Sequence, residues 1–145
     1  MRTKANFAAA VSEFVDSFGG VVRRIRAQSN VDGLSWTESS VLARLAREGA
    51  TTTAELARIQ GIKPQSMGAV VASLEKQGLI SRKAHETDGR QMLLEVTAKG
   101  EALWKERKAA RRTWLAEAMQ ELSEEDQETV FAAGKILDRL ARENR

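Results

Sequence analysis

Apolar residues recur every three or four positions along both ends of the chain, the spacing that places them on one face of an α-helix. This pattern predicts a long helix from about Phe7, and two further helices that begin after Thr97 and after Ser123. Thr and Ser at such starts accept hydrogen bonds from the first-turn amides. The pair Gly19-Gly20 is expected to interrupt or bend the first helix. Both ends of the chain are therefore predicted to be helical.

Three shorter helices are predicted between residues 34 and 78. Ser35 and Glu38 have the spacing of a reciprocal capping box, in which each side chain bonds to the other residue's backbone amide. Thr52 and Glu55 repeat this spacing at the start of the next helix. The sequence thus predicts two helix starts of the same kind, one after the other.

The third of these helices combines an apolar stripe with a face of small and polar side chains. Pro64 fits its first turn, because the missing amide hydrogen would be unpaired there, and Gly78 is expected to terminate it. Small and amide side chains allow close approach and hydrogen bonding to the edges of bases in DNA. The outward residues are Gln65, Ser66, Gly68, Ala69, Ser73 and Lys76.

Two strand-like segments follow, at residues 79–84 and 91–96, and Asp88-Gly89 between them is typical of a turn. The order helix, turn, helix, hairpin is that of a winged helix-turn-helix, which places one helix in a DNA groove. The predicted fold class is mainly α with a small β-hairpin wing and long terminal helices. The expected division within one continuous unit is residues 1–33 (dimerisation helix), 34–97 (DNA-binding lobe) and 98–145 (dimerisation helices).

The terminal helices carry more apolar surface than the middle segment can cover. The simplest partner for them is the same set of helices in a second copy, which predicts a two-fold homodimer. Packing of these helices within a single chain is the alternative.

Composition narrows the classes of function. The 145 residues include 30% charged residues, a net charge of +3, one His (His85) and no Cys. Disulfides, thiol redox chemistry and Cys/His zinc sites are excluded, and neither a cofactor nor a metal is expected. Ser/His/Asp sets and Gly-rich phosphate loops are not found, which argues against an enzyme. No apolar run approaches the roughly 20 residues of a membrane span, so a cytoplasmic protein is expected.

Taken together, these motifs resemble the MarR family of transcriptional regulators. Each short match is weak alone, but their order and spacing extend over nearly the whole chain. The matching segments are Leu34-Ser35-Trp36-Thr37, Glu55-Leu56-Ala57, Leu74-Glu75-Lys76-Gln77-Gly78-Leu79-Ile80, Asp88-Gly89-Arg90 and Val96-Thr97-Ala98-Lys99-Gly100. The resemblance implies a homodimeric repressor that binds a pseudo-palindromic site in double-stranded DNA. The chain departs from the family pattern at Lys63, where Ser or Thr is usual, at Gly68 and Ala69, and in a less basic wing.

The resemblance also assigns roles to residues of the wing. Arg90 matches the wing arginine that reaches into the minor groove, and Asp88 matches the acidic residue that orients it; the alternative is an Asp88–Arg90 salt bridge alone. A guanidinium suits the negative potential of a narrow minor groove. Four further residues are candidates for DNA contact. Lys63 lies at the start of the third short helix. Contacts with backbone phosphates are expected from Arg82 and Lys83 at the base of the wing and from Ser39, and the alternative for these three is plain surface. The basic run 105–112 is interpreted as mostly solvated.

Family members also respond to a small aromatic or phenolic anion, and the resemblance extends this expectation to the present chain. Such a ligand acts by binding one arrangement of the recognition helices better than another. The candidate pocket residues are Phe14, Phe18, Trp36 and Trp104 as an apolar wall, with Arg24 as the anion partner. The alternative for each aromatic residue is ordinary core packing.

A second class of function stays open from the sequence. Winged helices also serve as protein-docking modules without sequence-specific DNA binding. A steep loss of DNA affinity with salt would favour the regulator, and salt-tolerant binding to a protein would favour docking.

Overall fold

A computed structural model describes residues 3–28, 33–84, 87 and 91–143 of the chain. Within these residues the chain forms six helices and one antiparallel hairpin, which confirms the predicted fold class. The elements are α1 (Lys4–Ala27), α2 (Trp36–Glu48), α3 (Thr53–Gln60), α4 (Pro64–Lys76), β1 (Ile80–Ala84), β2 (Met92–Val96), α5 (Ala98–Gln120) and α6 (Glu124–Glu143).

The chain divides into two compact units. The first comprises Met1–Arg26 and Ala110–Arg145, and the second comprises Ala27–Ala109. Because the division falls inside α5, that helix belongs to both units. The expected functional division at residues 33 and 97 stays a prediction.

The starts of α2 and α3 are built differently, although their sequences suggest the same capping box. Ser35 Oγ accepts from the Glu38 amide at 3.1 Å, and the Ser35 amide donates to Glu38 Oε2 at 2.7 Å, so the box is confirmed for α2. Thr52 Oγ1 accepts from the Glu55 amide at 3.2 Å. The Glu55 carboxylate, however, accepts from Arg58 Nε at 2.9 Å, because a guanidinium one turn away offers a charged donor. The prediction that Glu55 completes a reciprocal capping box at α3 was therefore wrong.

Helices α5 and α6 begin where the sequence predicts, and α1 begins at Lys4, slightly before the predicted start near Phe7. Thr97 Oγ1 accepts from the Gly100 amide at 3.1 Å, and Ser123 Oγ accepts from the Asp126 amide at 3.2 Å. The expected interruption at Gly19-Gly20 was wrong, because α1 is continuous across both residues. Glycine lowers helix stability by only about 1 kcal/mol per residue relative to alanine and can adopt helical backbone angles.

The core of the second unit is formed by buried side chains from α2, α3, α4 and the hairpin. β1 and β2 pair with Ile80 opposite Val96 and Arg82 opposite Leu94, and Thr51 extends the sheet by exchanging backbone hydrogen bonds with Leu94. The core side chains are Leu34, Val41, Leu42, Leu45, Leu56, Ala57, Met67, Val71, Leu74, Leu79, Ile80 and Leu94. Met92, the first residue of β2, is 42% exposed.

The first unit leaves large apolar side chains exposed in the single chain. None of the described residues of α1 is buried, and Phe7 and Phe131 are 61% and 60% exposed. Other exposed apolar residues on α1 and α6 are Val11, Phe14, Val15, Phe18, Val21, Val130, Ile136 and Leu140. No helix within the described residues is both long enough and apolar enough to cross a membrane.

Candidate nucleic-acid interface

Helix α4 is anchored by one face and leaves the other open. Met67, Val71 and Leu74 are buried at helical spacing, which fixes the rotation of the helix about its axis. Gln65, Ser66, Ala69 and Lys76 are exposed on the other side, as the sequence predicts, and Gly68 is half-buried. Apart from its chain neighbours and the backbone of its own helical turns, no described atom lies within 4 Å of a Cβ built at Gly68, so packing does not require glycine there. Most side chains on the open face are short enough for the edge of a base to approach the helix.

The first turn of α4 is not capped by a side chain within the described residues. Lys63 is the N-cap residue and makes no capping hydrogen bond, and Pro64 follows at the first helical position. Backbone amides at such a start carry partial positive charge, and the Lys63 ammonium adds a full one. This end of α4 is therefore suited to a phosphate.

The other end of α4 is closed by a left-handed glycine. Gly78 has φ +72°, its amide donates to the Glu75 carbonyl at 2.9 Å, and the Leu79 amide donates to the Leu74 carbonyl at 3.0 Å. This pair of bonds is a Schellman motif, and the packing of Leu79 beside Leu74 in the core is its usual companion. The predicted terminating role of Gly78 is confirmed.

Ser73 does not lie on the open face, which corrects the sequence interpretation. The residue is half-buried, and its hydroxyl donates to Glu38 Oε1 on α2 and accepts from Gln77 Nε2 at 3.3 Å. Burial raises the pKa of Glu38, but hydrogen bonds from Ser73 and Ser35, with the nearby charge of Arg107, hold that pKa below its ordinary value. Ser73 therefore joins α4 to α2 instead of facing outward.

Ser39 is likewise half-buried, and its hydroxyl accepts from Arg107 Nη1 on α5. Arg107 is only 7% exposed, so the interpretation of the basic run as solvated was wrong at this residue. A buried guanidinium is retained only where hydrogen bonds and opposite charge compensate its lost hydration, and Ser39 and Glu38 supply both. Lys105 and Lys108 in the same run are exposed.

The basic residues at the base of the wing are exposed and paired with acidic neighbours. Arg82 Nε donates to Glu75 on α4, and Lys83 Nζ lies 2.9 Å from Glu95 Oε2 on β2. Exposed ion pairs of this kind are weak enough to exchange for phosphate contacts. Three residues expected nearer the wing tip, His85, Asp88 and Arg90, lie outside the described residues.

The residues expected to line a ligand pocket are divided between the two units. Phe14 and Phe18 stack on α1, with ring centroids 5.8 Å apart and planes at 11°. Arg24 lies exposed on the same helix, while Trp36 on α2 is 53% exposed. Trp104 packs partly buried against the core of the second unit, as the core alternative expected. Within the described residues no cluster of three His, Asp or Glu side chains could hold a metal ion.

Three contacts at the end of α4 were missed by the sequence interpretation. The Lys99 ammonium donates to the Gln77 carbonyl at 2.8 Å, and the Thr97 hydroxyl donates to the Gly78 carbonyl at 2.6 Å. The Thr97 amide donates to the Leu79 carbonyl at 3.0 Å. Thr97 was recognised only as the cap of α5, and no local pattern around Lys99 indicates a contact with residues about twenty positions earlier. These contacts attach the end of α4 to the start of α5.

Helices α3 and α4, joined by a tight turn at Gly61 and followed by the β1–β2 hairpin, define the second unit as a winged helix-turn-helix. Comparison with known proteins identifies the class of winged helix-turn-helix protein: a family model described as MarR family matches residues 32–91. An HTH-type transcriptional regulator of Mycobacterium bovis, named as uncharacterised, is 34% identical over 122 residues, which are 84% of this chain and 85% of that protein. The chain belongs to the MarR family of transcriptional regulators.

Two further comparisons agree with this assignment. An HTH-type transcriptional repressor of Mycobacterium tuberculosis is 33% identical over 106 residues, covering 72% of this chain and 76% of the repressor. The solved structure of a MarR family protein from Bacillus stearothermophilus superposes with a TM-score of 0.82 over 98% of each chain, at 20% identity. The latter likeness supports the fold alone.

Proposed function

We propose that the protein is a transcriptional repressor that binds a pseudo-palindromic operator as a homodimer. The observation that carries this proposal is the geometry of α4, in which Met67, Val71 and Leu74 are buried while Gln65, Ser66 and Ala69 are open to solvent. A helix anchored in this way can enter a major groove with its polar face toward the bases. Repression follows when the bound operator overlaps a promoter.

The homodimer is supported by the exposed apolar side chains of α1 and α6 other than the Phe14–Phe18 pair, such as Phe7 and Phe131. Contiguous apolar surface on a single chain marks an interaction site, and a two-fold dimer would bury it. Two α4 helices would then need to lie about 34 Å apart to meet successive major grooves of the same DNA face. The terminal helices would hold that separation.

Contacts with DNA are proposed at three places outside the reading face. Lys63 and the uncapped first turn of α4 would bind a backbone phosphate, and Arg82 and Lys83 would exchange their carboxylate partners for phosphates along the flanking DNA. Arg90, oriented by Asp88, would enter the minor groove. Ser39 and Ser73, both engaged within the lobe, would position α2 and α4 and would not touch DNA.

A small aromatic anion is proposed as the signal that releases the operator. The exposed stack of Phe14 on Phe18, with Arg24 on the same helix, offers an apolar surface and a cation to such a ligand. Trp36 and Trp104 stay proposed as further contacts. Titration of the protein–operator complex with a series of phenolic acids tests this step, and unchanged operator affinity across the series would contradict it.

Selection of bound duplexes from a random pool tests operator binding directly. The expected result is one enriched pseudo-palindrome, whose affinity falls steeply with increasing salt because phosphate contacts release counterions. Exchanging Gln65 or Ser66 should change the preferred base at single positions, while Arg90→Ala should lower affinity without changing the unfolding transition. Failure to enrich any duplex at low salt would reject the regulator in favour of a docking module.

Sedimentation equilibrium tests the dimer. Phe7→Glu and Phe131→Glu place charges in the exposed apolar surface of the first unit and should shift the protein to monomer. Met92→Glu is the matched control, because it introduces the same charge at an exposed apolar residue of the other unit. A monomeric native protein, or equal effects of all three changes, would contradict the proposal.

A further inference from the structure

The end of α4 is attached directly to the start of α5. Three carbonyl groups just after the last turn of α4 accept hydrogen bonds from the start of α5. They belong to Gln77, Gly78 and Leu79, and the donors are Lys99 Nζ, Thr97 Oγ1 and the Thr97 amide, respectively. The positive charge of Lys99 at this position also suits the negative end of the α4 dipole. This set of contacts is the first attachment between the two helices.

A second attachment joins the same two helices through α2. Arg107 on α5 donates to Ser39 on α2, and the adjacent Glu38 accepts from Ser73 on α4. Both hydrogen bonds involve an ionised group and are partly buried, conditions that strengthen a hydrogen bond relative to an exposed one. The second attachment therefore resists small displacements more than an exposed contact would.

The distance between the two attachments determines what they can do. Lys99 and Arg107 are eight residues apart on one helix, which corresponds to about 12 Å along α5. With a single attachment, α4 could pivot about that point. On α4 the two attachments lie at Ser73 and Gln77, four residues or about 6 Å apart, so a slip of about 1 Å at Ser73 would tilt this helix by about 10° and move its far end, about 20 Å away, by about 3 Å. Hydrogen bonds to base edges tolerate only a few tenths of an ångström.

We propose that Lys99 and Arg107 are positioning residues that fix the orientation of α4 relative to residues 98–109 of α5, so that the operator-reading face and this part of α5 keep one mutual orientation. The inference rests on the proposed function, because it treats α4 as the helix that reads the operator. Neither side chain touches DNA in this proposal. Their effect is on the precision of base contacts, and so on the preference for the operator over other duplexes.

The first test compares Lys99→Met with Lys105→Met. Both changes remove one positive charge from α5, but Lys105 pairs with Glu101 on its own helix, whereas Lys99 bonds to α4. Affinities for the selected operator and for a random duplex are measured at one salt concentration. Lys99→Met should lower the ratio of the two affinities about fivefold, and Lys105→Met should leave it unchanged. Equal ratios in the two variants would overturn the role of Lys99.

The second attachment is tested at Ser73, which avoids removing a buried charge. Ser73→Ala deletes the hydroxyl that donates to Glu38, and Ser73→Thr restores a hydroxyl at the same place. The ratio of operator to random-duplex affinity should fall in Ser73→Ala and return in Ser73→Thr. A loss in both variants, or in neither, would refute the attachment through α2.

Amide hydrogen exchange separates this inference from the proposed function, because it needs no DNA. In Lys99→Met, amides in the last turn of α4 should exchange at least threefold faster, while those of α3 keep their native rates. Wild-type protein that enriches no duplex but shows this change would reject the operator and retain the attachment. If the wild type enriches an operator but Lys99→Met changes neither the exchange rates nor the affinity ratio, the operator is retained and the attachment is rejected.

Discussion

Replacing Gly100 by alanine should test a close backbone approach between the start of α5 and the end of α4. A Cβ built at Gly100 would lie 2.0 Å from the Leu79 carbonyl oxygen, 3.0 Å from the Leu79 carbonyl carbon and 2.8 Å from Val96 Cγ2. Two of these atoms are backbone and cannot rotate away. The start of α5 would have to move by more than 1 Å relative to the end of α4 to reach ordinary van der Waals contact.

The cost can be estimated from opposing effects. Inserting a methyl group into a packed site costs about 1–3 kcal/mol, and the displaced Leu79 carbonyl would also lose its hydrogen bond from the Thr97 amide, a further loss of about 1 kcal/mol. Alanine is favoured over glycine within a helix by about 1 kcal/mol, which offsets only part of this. Gly100→Ala should therefore lower the free energy of unfolding by about 2 kcal/mol.

Urea unfolding followed by tryptophan fluorescence, at one fixed protein concentration, measures this loss. Gly68→Ala is the matched control, because it makes the same change in a helix where the new Cβ meets no described atom within 4 Å beyond its chain neighbours and the local helix backbone. That control should gain up to about 1 kcal/mol from helix propensity. If Gly100→Ala matched or exceeded the wild-type stability, the packing argument at Leu79 would be refuted.

Three other substitutions have defined expectations. Leu42→Ala, in a side chain that is 1% exposed, should lower the free energy of unfolding in urea by about 2–5 kcal/mol; a smaller loss would mean that the core collapses around the cavity. Glu38→Gln should lower the free energy of unfolding by about 1 kcal/mol at neutral pH. The folded protein holds the pKa of Glu38 below the ordinary value of 4.5. The extra stability of the wild type is therefore complete above that pH and is lost as the pH falls through the folded pKa. Urea titrations at several pH values would detect this loss. Glu55→Gln removes an exposed pair with Arg58 and should leave the thermal midpoint nearly unchanged, and a large shift would show that the pair is not simply exposed.

Local chemistry explains which parts of the fold could be predicted from the sequence. Ser35, Thr97 and Ser123 each bond to an amide three residues later, so the information that starts these helices lies within one turn. Gly78 and the hairpin segments are equally local. The fold class, the order of the elements and the exposed residues of α4 followed from such signals.

Two of the errors concern side chains whose partners are distant in the sequence. Arg107 resembles its charged neighbours, and contacts with α2, among them the Ser39 hydroxyl 68 positions earlier, distinguish it as buried. The spacing of Ser73 along α4 fits either face of the helix, and its bond to the Glu38 carboxylate, 35 positions away, decides between them. Both positions depend on tertiary packing, which hydrophobic periodicity and composition do not encode. The error at Glu55 is local, because the Arg58 guanidinium three residues later competes with the backbone amide for the carboxylate.

The uncapped start of α4 has a consequence for the energetics of recognition. Ser35, Thr52, Thr97 and Ser123 each accept from an amide at the start of their own helix, whereas Lys63 makes no side-chain capping bond at the start of α4. A phosphate at this turn would supply the missing acceptor, so part of the affinity for nucleic acid would come from completing a helix that the protein alone leaves unfinished. Replacing Lys63 by serine would then strengthen the free protein and weaken its complex, which links fold stability and DNA affinity at one residue in opposite directions.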